Sequence, residues 1–118
     1  MLKADKKLDI IKKACEDKKG IDLKVLNIRK LTPIADYFVI VSGNSSAQVT
    51  AIADEVEEKV LKAGEAEFSK EGYRSGRWIL LDLGDIVVHI FHKEEREFYD
   101  LERLWTDNRE NKNEENKI

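Results

Sequence analysis

Gly76-Arg77-Trp78-Ile79-Leu80-Leu81-Asp82-Leu83-Gly84-Asp85-Ile86-Val87-Val88-His89-Ile90-Phe91 carries most of the apolar density of the chain, and Phe98-Tyr99-Asp100-Leu101-Glu102-Arg103-Leu104-Trp105 follows it closely. The first block reads as two buried-type strands, residues 78–83 and 86–91, joined by a tight Gly84-Asp85 turn; glycine at the first central position suits a type II′ hairpin. Glu94 and Glu95 then open a short aromatic helix, where carboxylates suit the positive end of the helix dipole. Both tryptophans lie in this region, Trp78 at the open end of the hairpin and Trp105 in the helix. Two tryptophans bracketing one motif suggest an anchored surface as much as a core.

Working outward, Tyr37-Phe38-Val39-Ile40-Val41 is apolar on both parities, as expected of a strand inside a sheet with helices on both faces. Gly43-Asn44 ends it, and Ser45 with Gln48 forms a capping-box signature for a helix whose stripe is Val49, Ile52, Ala53, Val56 and Val60, with Gly64 as its stop. This strand, this helix and a later strand make a crossover unit. Upstream, Leu8, Ile11, Ala14 and Cys15 recur at helical spacing, with Lys18 and Lys19 in the last turn and Gly20 as a stop. Leu23, Val25 and Ile28 read as a strand covered on one face before a turn at Thr32-Pro33. A weak strand is expected at residues 66–70. The reading is α/β, a three-layer mixed β-sheet with flanking helices.

The chain has 118 residues, enough for one domain, expected over residues 1–106, with an Asn/Glu/Lys tail at 107–118 too polar to bury a core. With 21 basic and 24 acidic side chains the net charge is −3, which disfavours a protein bound mainly through phosphates and makes a protein partner the better expectation, with little or no direct nucleic-acid binding. The single cysteine, Cys15, reads as a small core residue of a reducing compartment. Lys3, Lys6 and Lys7 precede no signal-type apolar run, and no stretch is long and apolar enough to span a bilayer, so a cytosolic protein without a membrane partner is expected.

Catalytic chemistry finds little support. His89 and His92, three apart near a strand end, point to opposite sides and make no shared metal site; His89 fits a hydrogen-bonded core histidine. A nucleotidyltransferase-like enzyme would join Gly43-Asn44-Ser45-Ser46 to Asp82 and Asp85 around a divalent metal. The Asp-x-x-Asp spacing puts those carboxylates on opposite faces of a strand, and turn chemistry accounts for both. Trp78, beside Gly76 and Arg77, is a binding-surface candidate, while Trp105, at helical spacing from Leu101, stays open between core and contact.

At Ile34-Ala35-Asp36-Tyr37-Phe38-Val39-Ile40, Gly43-Asn44-Ser45-Ser46, Ile52-Ala53-Asp54-Glu55-Val56, residues 78–91 and residues 96–105, the chain resembles the ribosomal silencing factor family, RsfS or Iojap-like, over roughly residues 8–105. The resemblance implies a nucleotidyltransferase-like core without catalytic residues, no cofactor and no metal. It implies binding to the large ribosomal subunit through large-subunit ribosomal protein fourteen, blocking subunit association and repressing translation when nutrients are short. The implied contact surface is Trp78, Leu83 and Asp85, with Tyr99 and Trp105 in support. Family members are often homodimers when free and some are linked to large-subunit assembly, so a dimeric scaffold in that process is the competing reading alongside the enzyme.

Overall fold

A computed structural model describes residues 3–65 and 68–99, the last three for their backbone alone. The elements are α1 (Ala4–Asp17), β1 (Ile21–Asn27), β2 (Tyr37–Gly43), α2 (Ser46–Lys62), β3 (Ser69–Glu71), β4 (Trp78–Asp82), β5 (Ile86–His92) and α3 (Lys93–Tyr99). Five strands form one sheet in the order β1-β2-β5-β4-β3. β2 and β5 run parallel at its centre, Tyr37 opposite Ile86 through Gly43 opposite His92, as the crossover through α2 requires. The other pairs are antiparallel.

Parity sorts the sheet into two faces. Val39, Val41, Ile79, Leu81, Ile86, Val88 and Ile90 join Ile11, Ala14, Cys15 of α1 and Val49, Ile52, Ala53, Val56, Val60 of α2 in the larger core. Phe38 and Val87, with Ile28 and Ala35, build a smaller cluster against Leu26, Leu31 and Leu80. The same parity places Ile40, Ser42, His89 and Phe91 on this second face, and α3 reaches it through Arg96, which donates to Ser42 Oγ at 2.9 Å. The sheet is thus a layer between helices, and the apolar doubling of β2 and β5 is explained by burial on both sides.

Local signals hold with small displacements. Leu83 N–H donates to Ile86 C=O at 2.9 Å across the two-residue loop, and Gly84 has φ 90° while Asp85 is not left-handed, as a type II′ turn demands. At the end of α1 the left-handed residue is Lys19, φ 60°, not Gly20. Lys19 N–H donates to Glu16 C=O and Gly20 N–H to Cys15 C=O, a Schellman closure. Gly20 is small for another reason: a Cβ there would stand 2.5 Å from Val41 Cγ2. Ser45 caps α2 by accepting from Gln48 N–H, but Gln48 Oε1 accepts from Asn44 N–H rather than from the cap residue. Its amide donates to the Lys18 and Lys19 carbonyls, fastening the start of α2 to the end of α1.

Two expectations need correction. Ile28 lies beyond β1 and packs in the second-face cluster, since its parity differs from that of Leu23 and Val25. The weak strand runs Ser69–Glu71, with Phe68 outside it and Glu71 inside, its three side chains all polar and exposed; residues 66 and 67 of the expected range lie outside the described residues. Cys15 is buried, and burial pushes its thiol up to about 12. Trp105 and the 107–118 tail lie outside the described residues.

Candidate functional site

The hairpin β4–β5 places the expected contact residues. Trp78, opposite Phe91 in the register, is half-buried on the second face and stacks on Phe91 with ring centroids 4.8 Å apart. Its indole N–H donates to His89 Nδ1 at 3.3 Å. Leu80 and Asp82 follow Trp78 on the same parity, so an indole, a partly exposed leucine and a carboxylate form a strip along β4 toward the turn. Trp78 and the turn stand at opposite ends of the hairpin, about 16 Å apart along the strand; the structure joins them as a strip rather than as one patch.

Leu83 is 3% exposed and belongs to the larger core, so it enters this surface as the residue setting the turn's backbone. Asp82 Oδ1 accepts from Gly84 N–H at 2.9 Å, the local turn bond its position implied. Asp85 is engaged differently: its carboxylate accepts from Lys7 Nζ at 2.8 Å, and its carbonyl accepts from Asp36 and Tyr37 N–H. Tyr99 closes α3, where its backbone alone is described. Sequence reading missed Ile34, 68% exposed in the loop that meets the turn through the Asp36–Asp85 backbone bond. Arg77, read from the sequence only as a neighbour of Trp78, donates through its guanidinium to Glu94 and Glu95 and holds the start of α3.

His89 is a core histidine, 4% exposed, with Phe38 edge-on at 4.7 Å. Because Nδ1 accepts from Trp78, the neutral ring carries its proton on Nε2, which is buried without a hydrogen-bond partner among the described residues. Burial lowers its pKa to about 4. Below the unfolded value of about 6.5 the unfolded chain therefore binds the proton the folded chain refuses, and stability falls with pH through that window. Between pH 7.5 and 5 this group is expected to cost about 2 kcal/mol. Urea unfolding of His89→Gln should lose that part of the pH slope; an unchanged slope would refute the assignment.

The metal-dependent enzyme site is not assembled. Gly43, which leads into Ser45, pairs with His92 at one end of β2, whereas Ile86, next to Asp85, pairs with Tyr37 at the other, about 20 Å away along the strand. Ser45 Oγ and the Asn44 N–H are already occupied by Gln48. Gly43 is explained by packing, a Cβ there meeting Val49 Cγ2 at 3.0 Å. Among the described residues no group of three or more His, Cys, Asp or Glu could hold a metal ion, and no helix is long and apolar enough to cross a membrane.

The family described as ribosomal silencing factor during starvation, RsfS, matches residues 2–118. The ribosomal silencing factor RsfS of Bacillus subtilis is 46% identical over 100 residues, 85% of this chain and 85% of that one. A crystal structure of a Chromobacterium violaceum protein superposes with a TM-score of 0.85 at 36% identity, covering 88% of this chain and 87% of that chain. A mouse protein named mitochondrial assembly of ribosomal large subunit protein 1 is 31% identical over 102 residues, 84% of this chain and 45% of its own length.

Proposed function

The chain belongs to the RsfS family of ribosomal silencing factors, and on that premise we propose that it binds the large ribosomal subunit through large-subunit ribosomal protein fourteen and blocks subunit association by occupying space. The observation that carries this reading is the match, over 85% of both chains, to a protein named as a ribosomal silencing factor. The action needs no chemistry: a folded body of about 100 residues has a radius of gyration near 13 Å, wide enough to obstruct a subunit contact. The protein acts as a regulator in the cytoplasm rather than as an enzyme, and free copies pair as homodimers.

The contact surface is the strip from Trp78 along β4 to the Leu83-Gly84-Asp85 turn, extended by Ile34 and by Tyr99 and Trp105. Trp78 supports it as a partly exposed aromatic held rigid by Phe91 and His89, since preorganised tryptophans make effective anchors. The net charge of −3 favours encounter with a basic ribosomal protein. A role in large-subunit assembly is the second reading, favoured by the mouse relative's name; it uses the same partner. Co-sedimentation with purified subunits tests the reading: the protein should travel with large subunits and not with small ones, and equal partition between them would reject it.

A further inference from the structure

We propose that Lys7 is a positioning residue for the 83–85 turn, and the inference rests on the reading of that turn as part of the ribosome-facing surface. Lys7 occupies the apolar stripe of α1, one turn before Ile11, and is 3% exposed. Its ammonium donates to Leu83 C=O at 3.2 Å and to Asp85 Oδ1 at 2.8 Å. Glu65 Oε1 stands 3.0 Å away, at ion-pair distance though outside hydrogen-bond alignment. The cation therefore grips both the backbone and the carboxylate of the turn.

The third partner is placed by the end of α2. Gly64, φ 107°, takes the left-handed position, and Glu65 N–H donates to Val60 C=O, a Schellman closure that turns Glu65 back toward α1. Burial pulls the Lys7 pKa down, and the hydrogen bond to Asp85 together with the nearby negative charges of Asp85 and Glu65 outweighs it, holding the pKa above its ordinary value. Buried ion pairs add little net stability over apolar packing; what they supply is a fixed geometry. Here that geometry is directional. With the Asp85 side chain held toward α1 and its carbonyl bonded by Asp36 and Tyr37 N–H, the turn is clamped to α1 and to the start of β2 at once. Without Lys7, the Asp85 side chain, 31% exposed, is free to turn to water and release one side of the clamp.

Amide exchange by NMR on the free protein, paired with co-sedimentation on large subunits, tests this in Lys7→Met and Lys7→Arg. In Lys7→Met the Leu83, Asp36 and Tyr37 amides should exchange about tenfold faster while Val39 and Val88 keep their protection. Affinity for large subunits should drop about tenfold, as losing a charged hydrogen bond implies. Lys7→Arg, which keeps a cation and donors, should recover most of both. Unchanged turn amides, or loosened amides with unchanged binding, would overturn the proposal. If the wild-type protein itself does not co-sediment, the ribosome reading falls and the exchange data still decide whether Lys7 holds the turn. Should Lys7→Met not fold, Asp85→Asn removes the charge alone; faster Asp36 and Tyr37 exchange supports the clamp and unchanged exchange rejects it.

Discussion

Gly72→Ala should destabilise the fold by about 3 kcal/mol or more, a fall in Tm of about 10–20 °C for a domain of this size. Gly72 has φ 78°, and a Cβ there would run into the carbonyl oxygen of Trp78, with the carbonyl carbon at 3.3 Å. The obstacle is backbone, so no rotamer change relieves it. Ser75 N–H and Oγ both donate to Gly72 C=O, which keeps the tight turn from opening. The displaced element would be the first residue of β4, carrying Trp78. Gly84→Ala is the control: Gly84 also has positive φ, 90°, but a Cβ there meets nothing within 4 Å. It should pay conformational strain alone, about 1–2 kcal/mol. Thermal unfolding followed by circular dichroism separates the two, and equal losses would show that the clash at Trp78 is not felt.

Trp78→Ala should weaken binding to large subunits by about 2 kcal/mol, roughly 30-fold, as loss of a rigid aromatic anchor does. It also removes the stack on Phe91 and strands His89 Nδ1, so stability falls as well. Trp78→Phe keeps an aromatic ring for Phe91 and loses the N–H; it should bind between wild type and Trp78→Ala while recovering part of the stability. Binding is measured on protein shown to be folded at the assay temperature. A folded Trp78→Ala variant within twofold of wild-type affinity would remove Trp78 from the contact surface.

The hairpin was legible in the sequence because its demands are local. Gly84 must take positive φ, and the two-residue loop fixes a register in which Trp78 faces Phe91. The double-faced apolar run of residues 37–41 likewise announced its central place. Displacements arose where a signal has two physical causes. Gly20 resembled a helix stop, yet its smallness serves the approach of Val41, and Lys19 carries the left-handed backbone. Ile28 resembled the next member of a one-faced strand, but an odd spacing sent it to the other cluster.

Lys7 was not legible. A lysine in an otherwise apolar stripe reads as solvated, and only the folded chain brings Glu65 and Asp85 to it from far along the sequence. The same holds for the distance between Ser45 and the hairpin carboxylates: spacing excluded a shared metal between Asp82 and Asp85, while the register showed the phosphate-cradle residues at the opposite end of β2. Of the proposed contact residues, the sequence located Trp78 at the open end of the hairpin and Asp85 in its turn, but not the strip along β4 that lies between them.

The most direct test of the central claim is sucrose-gradient sedimentation of purified small and large subunits under joining conditions, with increasing amounts of the protein. Joined ribosomes should decline in proportion to the protein added, with the protein recovered in the large-subunit fraction. Undiminished joined ribosomes, with large subunits saturated by bound protein, would contradict the account.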